Sequence, residues 1–231
     1  MTSCAILIPA RYQSTRFPGK PLAEMNGKPM IKRVYETCVS TGLPTYVLTD
    51  NMQIFNLFGS ENCWIEQEQV ASYENGTARC AGAVEKFEAL NKFDRFINVQ
   101  GDMPDITGDI IVYVKRLLDD FPIATAYTEM SEEERKNPNS VKIIHNGHTA
   151  RWFGRGIIGY GDWHLGVYGY ERQSLLDYPK LRVYNEENVE KLEQLRWLQN
   201  NFMIGVSKVS FDGLEINTPE DLQEWHNKNS H

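Results

Sequence analysis

Short apolar runs alternating with amphipathic segments predict an α/β fold, with a mostly parallel central sheet and helices on both faces. Two further observations support it. The first apolar run, residues 4–8, breaks directly into a loop carrying Arg11, Arg16 and Lys20, and open α/β sheets bind ligands beyond the carboxyl ends of their strands. The chain has 231 residues, 41% hydrophobic and 24% charged, which suffices for a sizeable core in one domain.

In chain order, residues 4–9 read as a buried strand. Residues 29–40 have helical spacing, with Pro29 suited to the first turn. Residues 45–49 are a second strand, and Asp50 is the expected cap of the helix that follows. Residues 63–66 are a shorter strand. Residues 77–90 predict a helix with Ala81, Val84 and Phe87 on its apolar side. Residues 96–99 are a strand ending in Gln100-Gly101-Asp102, followed by a helix over 106–121 and a strand over 123–127. The pattern then changes. The charged run 131–136 reads as a solvated helical turn. Residues 140–145 and 149–153 flank Asn146-Gly147, a strong hairpin signal. Residues 165–170 are an aromatic-rich strand, 189–200 a helix, 205–209 a strand, and 219–227 a closing helix capped by Thr218. No internal repeat or low-complexity linker interrupts the chain, so the hairpin region reads as an insertion in a single domain.

A net charge of −7 argues against general nucleic-acid binding. An acidic chain with a local cationic loop suits a small anionic ligand instead. The four cysteines, Cys4, Cys38, Cys63 and Cys80, are scattered with no CxxC pair, against a zinc or redox centre. They predict a reduced, cytoplasmic setting. No signal peptide and no membrane-spanning run are read.

The loop after the first strand holds the most chemistry. Its three cations alternate with Pro9, Pro18, Gly19 and Pro21, so the backbone is restrained before a polyanion arrives. It is not a Walker loop: Gly19-Lys20 is followed by Pro21 and Gly27-Lys28 by Pro29, and neither offers the metal a hydroxyl. Asp102, at the end of a neighbouring strand, is a hard anionic ligand suited to Mg²⁺ beside phosphates. Asn75-Gly76-Thr77 opens a helix whose free N–H groups suit a base edge or an anion. His164, Gly166 and Tyr168 fall on one face of a strand. Glu193 and Gln194 fall in the predicted helix 189–200, where a polar pair is ordinarily a wet face. Arg155, in Phe-Gly-Arg-Gly, is placed to bring a cation to a carboxylate.

The segments IPARYQSTRFPGK (8–20), NGKPMI (26–31), NGTAR (75–79), NVQGDMP (98–104), NPNSVK (137–142), HLGVYGY (164–170), LEQLR (192–196) and NTPEDL (217–222) recur in this order. Together they resemble the 3-deoxy-manno-octulosonate cytidylyltransferase (CMP-Kdo synthetase) family across nearly the whole chain. The opening motif is shared with wider sugar nucleotidyltransferases, whereas HLGVYGY and LEQLR are specific to the Kdo branch. The resemblance implies a three-layer, Rossmann-like nucleotide-diphospho-sugar transferase fold with a small hairpin-containing dimerisation insertion. It implies one domain over 1–231, with a nucleotide-binding core at about 1–128 and 203–231 and a sugar-binding and dimerisation region at about 137–202. It places Arg11, Ser14, Arg16 and Lys20 on a triphosphate loop, and Asn75 and Arg79 near cytosine and ribose. Gln100 would hold nucleotide, and Asp102 and position 217 Mg²⁺. Arg155, His164, Tyr168, Glu193 and Gln194 would grip the acid sugar. Arg11, Arg16, Lys20 and Asp102 would be the catalytic set.

The implied reaction joins CTP to Kdo and releases pyrophosphate, in a cytoplasmic homodimer that supplies activated sugar for lipopolysaccharide or capsule. The alternatives are an 8-amino relative of the sugar or a catalytically weakened nucleotide-sugar-binding protein. A glycosyltransferase of similar fold is disfavoured, because no Asp-x-Asp follows a strand. The chain departs from the family pattern at four places. Asn217 stands where the family has a metal-holding Asp. Ala78 replaces Glu or Asp, Met103 replaces Glu, and the stretch between Arg155 and His164 is short.

Overall fold

The computed structural model describes residues 3–14, 16–66, 73–138 and 140–229. Of the motif segments above, only Thr15 and Asn139 lie outside them. The strands are β1 (Cys4–Ala10), β2 (Glu24–Met25), β3 (Lys28–Pro29), β4 (Thr45–Thr49), β5 (Cys63–Ile65), β6 (Arg95–Val99), β7 (Ile123–Thr128), β8 (Lys142–His145), β9 (Ala150–Gly154), β10 (Asp162–Glu171) and β11 (Ile204–Lys208). The helices are α1 (Met30–Ser40), α2 (Met52–Phe58), α3 (Gly76–Lys86), α4 (Gly108–Leu117), α5 (Glu132–Lys136), α6 (Arg172–Asp177), α7 (Asn185–Glu190), α8 (Leu195–Gln199) and α9 (Pro219–Lys228).

Among the described residues the main sheet has nine strands, in the order β11-β7-β10-β6-β1-β4-β5, with the β8–β9 hairpin attached to β10. β1 pairs in parallel with β4 and β6, β4 with β5, and β11 with β7. β10 runs antiparallel between β6 and β7. The sheet is therefore mostly parallel, as the βα alternation predicts. β1 is buried on both faces. Ala5 and Leu7 meet one core with α3, α6 and α8, while Ile6 and Ile8 meet a second with α1 and α4. Period-two alternation on a strand covered from both sides produces this three-layer arrangement.

Several boundaries differ from the sequence reading, each for a local reason. Asn51, not Asp50, caps α2, its side chain accepting from the Gln53 and Ile54 N–H groups; Asp50 instead accepts from the Tyr12 N–H at 2.9 Å. Pro29 precedes the first turn of α1 as its cap. α3 ends at Lys86, because Phe87 is extended and packs edge-on to Tyr46. α4 covers 108–117 only. The helix expected over 189–200 is two short helices, α7 and α8, broken where Lys191 takes a left-handed conformation with φ 56°. β10 carries a register shift between Leu165 and Tyr168. Gly166 sits within it, and a Cβ there would stand 2.9 Å from Gln100 Oε1.

The closing helix is fixed at both ends. Thr218 and Asp221 form a reciprocal capping box. Asp105 accepts from the buried Trp225 Nε1–H at 2.7 Å and the Leu214 N–H at 3.1 Å, so one carboxylate pins both α9 and the segment before it. Asp105→Ala leaves these donors without an acceptor, which costs about 1–3 kcal/mol for a buried group. Chemical denaturation should show a correspondingly lower midpoint. A midpoint equal to the parent's would mean that apolar packing alone holds α9.

Candidate active site

The loop after β1 folds back on itself. Gly19, at φ +72°, donates its N–H to Tyr12 O at 3.0 Å, and Phe17 N donates to Ser14 Oγ at 3.3 Å. Pro21 then opens a single helical turn over Lys20–Leu22. Arg11, Ser14, Arg16 and Lys20 are thereby brought to one cavity of about 380 Å³, which Asn75, Arg79, Gln100 and Asp102 also line. Arg11 Nη2 donates to Tyr73 O at 2.9 Å and Arg16 Nη2 to Asn217 Oδ1 at 3.1 Å. Lys20 Nζ donates to Asp102 Oδ2 at 2.7 Å and to Ile216 O at 2.9 Å.

A second cavity, of about 450 Å³, adjoins the first and shares Asn75, Gly76 and Gln100 with it. Arg155, His164, Tyr168, Glu193 and Gln194 all line this cavity. Five residues from three separated parts of the chain thus converge on one cavity. Asn217 lines neither cavity and reaches the first through Arg16.

Some of these side chains are committed locally. Arg79 is only 3% exposed, and its guanidinium is ion-paired with Glu66 and Asp50. Asn75 caps α3 by accepting from Ala78 N at 2.8 Å and donates to Tyr178 Oη at 2.9 Å. The N–H groups expected to be free at this helix start are therefore partly taken: Thr77 N donates to Glu193 Oε2 at 3.0 Å.

Glu193 and Gln194 are not on a wet helix face, because the turn between α7 and α8 directs them inward. Gln194 is 2% exposed, with its Nε2 unpartnered, and Glu193 Oε1 is likewise buried and unpartnered. Burial pushes the Glu193 carboxyl up to about 7, and the Thr77 hydrogen bonds only partly oppose it. His164 is pushed down to about 3 by burial and by Arg155, so its ring is neutral at ordinary pH. Thr125 Oγ1 donates its one proton to Val167 O at 2.7 Å and so accepts from His164 Nε2 at 3.0 Å. The other ring nitrogen is left as an acceptor. Tyr168 is buried beside His164, with ring centroids 5.3 Å apart.

Asp102 has the chemistry of a divalent-cation ligand. Its Oδ1 is buried without a partner while Oδ2 holds Lys20. Among the described residues, no group of three or more His, Cys, Asp or Glu could hold a metal by itself. The four cysteines are buried and unpaired, with burial raising Cys4 to about 11 and Cys63 to about 12. Such thiols are unreactive.

The structure adds residues that the sequence reading passed over. Glu215 lines the second cavity. It lies two residues before Asn217. Arg196, the last residue of LEQLR, is buried and joins Glu187 at 2.5 Å to Glu74 at 2.6 Å. This cluster holds α7 and α8 against the start of α3, so the motif was visible but its structural share was not.

The Glu193 assignment predicts a pH effect. A carboxyl whose pKa is raised on folding favours the folded state while protonated. That contribution is lost as pH rises from its ordinary 4.5 to about 7. Glu193→Gln has no such proton to lose. Its melting temperature relative to wild type should therefore climb between about pH 4.5 and about pH 7. A constant difference across that range would show that Glu193 stays ionised.

Comparison with known proteins agrees with this geometry. A family model described as cytidylyltransferase matches residues 5–208. The 8-amino-3,8-dideoxy-manno-octulosonate cytidylyltransferase of Shewanella pealeana is 40% identical, over 94% of this chain and 95% of the relative. The 3-deoxy-manno-octulosonate cytidylyltransferase of Parabacteroides distasonis is 37% identical, over 94% of each. A solved CMP:2-keto-3-deoxy-manno-octonic acid synthetase in complex with CTP superposes with a TM-score of 0.88 at 31% identity, over 99% of both chains. A cationic cavity joined to a buried polar one, on a sheet shared with these enzymes, accords with one conclusion: the chain belongs to the cytidylyltransferase family.

Proposed function

We propose that this protein transfers the cytidylyl group of CTP to the anomeric hydroxyl of 3-deoxy-manno-octulosonate or its 8-amino-3,8-dideoxy relative, releasing pyrophosphate, with Mg²⁺ held through Asp102. The observation that carries this reading is the junction of the two cavities at Asn75, Gly76 and Gln100. The cationic cavity takes the triphosphate. The other presents Gln194 Nε2 and Glu193 Oε1, buried and unpartnered, to a ligand rich in hydroxyls. Unmet buried groups of this kind discriminate strongly for a ligand that satisfies them.

In the reaction the sugar oxygen forms a bond to the α-phosphorus, the bond from that phosphorus to the bridging oxygen of pyrophosphate breaks, and the hydroxyl proton passes to water. No side chain need attack, so catalysis rests on positioning and charge. Arg11, Arg16 and Lys20 neutralise the leaving phosphates. Arg155 receives the sugar's carboxylate. Neutral His164 accepts a sugar hydroxyl, with Tyr168 as the adjacent wall, and Gln100 spans both ligands. When bound, Mg²⁺ supplies further charge neutralisation at the phosphate oxygens.

The 8-amino sugar is favoured as a second reading by Glu215, a carboxyl that lines the acceptor cavity outside the Arg196 cluster and suits an ammonium. The protein would act in the cytosol as a homodimer joined through the β8–β9 region, supplying sugar for lipopolysaccharide or capsule. Among the described residues no helix is long and apolar enough to cross a membrane.

Pyrophosphate release tests the reading. It should be rapid with CTP and one of the two sugar acids and slight with ATP or GTP. Equal turnover with ATP would refute the base assignment, and the faster acid identifies the acceptor. Lys20→Ala should lower kcat about a hundredfold, the cost of losing roughly 3 kcal/mol of transition-state charge stabilisation. A loss below about threefold would reduce the loop to a solvated turn.

A further inference from the structure

The segment NPNSVK ends in Lys142, whose side chain is fully buried. An ammonium taken out of water is costly unless polar partners compensate it. Lys142 pairs with Gly154 in the β8–β9 ladder, so Arg155 is the next residue along the facing chain. Lys142 Nζ donates to the carbonyl of Asn137, within its own segment, and to Arg155 O at 3.3 Å. Three protons on one atom can serve both carbonyls together. Burial lowers the pKa of this ammonium and the Arg155 charge adds to that, while the Glu134 and Glu190 charges work against it. Arg155 is gripped from its other side as well. Its N–H donates to Glu190 Oε2 at 2.7 Å. Glu190 is the last residue of α7, directly before the left-handed Lys191. Its carboxylate also lies over the glycines flanking Arg155: a Cβ on Gly154 would stand 3.4 Å, and one on Gly156 3.8 Å, from Oε1.

We propose that Lys142 and Glu190 are positioning residues for Arg155, fixing the backbone from which its side chain reaches the sugar's carboxylate. The inference rests on the transferase reading above. The peptide units on both sides of the Arg155 Cα are held, one from α7 and the other from β8. α7 also supplies Glu187 and Asn188 to the second cavity, so the Glu190 contact joins two of that cavity's walls. Arginine is long and rich in rotamers, and a fixed backbone lowers the cost of ordering it on a ligand. The sugar's carboxylate keeps its charge throughout the reaction, so Arg155 holds ground state and transition state alike. Displacing it raises KM for the sugar and leaves kcat little changed.

The test measures pyrophosphate release at saturating CTP, varying whichever of the two sugar acids wild type turns over faster, and CTP affinity by calorimetry without sugar. Glu190→Ala removes one contact. Lys142→Met, an unbranched side chain without donors, removes the other. Each should raise the sugar KM about tenfold, the scale of a small misplacement of a binding group, while kcat and CTP affinity stay within about twofold. Glu190→Gln keeps an oxygen that accepts from the Arg155 N–H, and its KM should lie within about threefold of wild type. In an Arg155→Ala background, Glu190→Ala should add less than about twofold, because the group it positions is gone. Glu190 sits at the half-buried end of α7, so its variants test the idea whether or not Lys142→Met folds. A sugar KM unchanged in Glu190→Ala overturns the proposal. So does an equal loss of CTP affinity, which would reduce these contacts to general scaffolding, and so does an undiminished effect in the Arg155→Ala background. If Arg155→Ala itself leaves the sugar KM unchanged, the transferase reading's carboxylate contact fails and the positioning role with it. If wild type turns over neither acid, the transferase reading itself fails.

Discussion

The ammonium of Lys20, bonded to the Asp102 carboxylate and the Ile216 carbonyl, is the contact on which the arrangement depends. It ties together the loop after β1, the turn after β6 and the segment before α9. These three pieces are remote in sequence and adjacent only because β6 pairs directly with β1. The ion pair is largely shielded, with side chains 15% and 18% exposed, so solvent screens it less than a surface pair. A triphosphate offers Lys20 a competing anion, and a cation offers Asp102 a competing partner. The contact that organises these segments is thus one for which, under the proposed reaction, a phosphate and a cation would each substitute without leaving a charge unpaired.

The second cavity obeys a different constraint. Its walls come from β10, the α7–α8 turn and the start of α3, and they leave polar atoms dry and unpartnered. The positive end of a helix ordinarily favours a carboxylate. Glu193 receives the Thr77 N–H at such an end, yet burial outweighs this and raises its pKa. His164 is kept neutral by burial together with the Arg155 charge. Under the proposed function, groups held in these states would serve as hydrogen-bond partners for a sugar and not as a permanent ion pair.

How much was legible in the sequence followed from the range of the interactions. The βα alternation, the Asn146-Gly147 hairpin and the Thr218 cap depend on neighbours in the chain, and they appear where expected. The break between α7 and α8 did not, because it relies on a left-handed Lys191 and on the Arg196–Glu187 pair. That break turned Glu193 and Gln194 from an apparent wet face into cavity lining. Arg79 lines the first cavity, but its guanidinium answers to Asp50 and Glu66, a pairing no local pattern reveals. The substitution at Asn217 was plain in the sequence. Its contact with Arg16 joins residues 201 positions apart, which no local pattern reveals.

These features make one claim together: donor and acceptor sites adjoin, and the cytidylyl group passes directly between their ligands without visiting the protein. The exchange of labelled pyrophosphate into CTP tests it most directly. Direct displacement predicts no exchange when the sugar acid is omitted and clear exchange when it is present. Exchange without the sugar would reveal a covalent cytidylyl-protein intermediate and contradict the account.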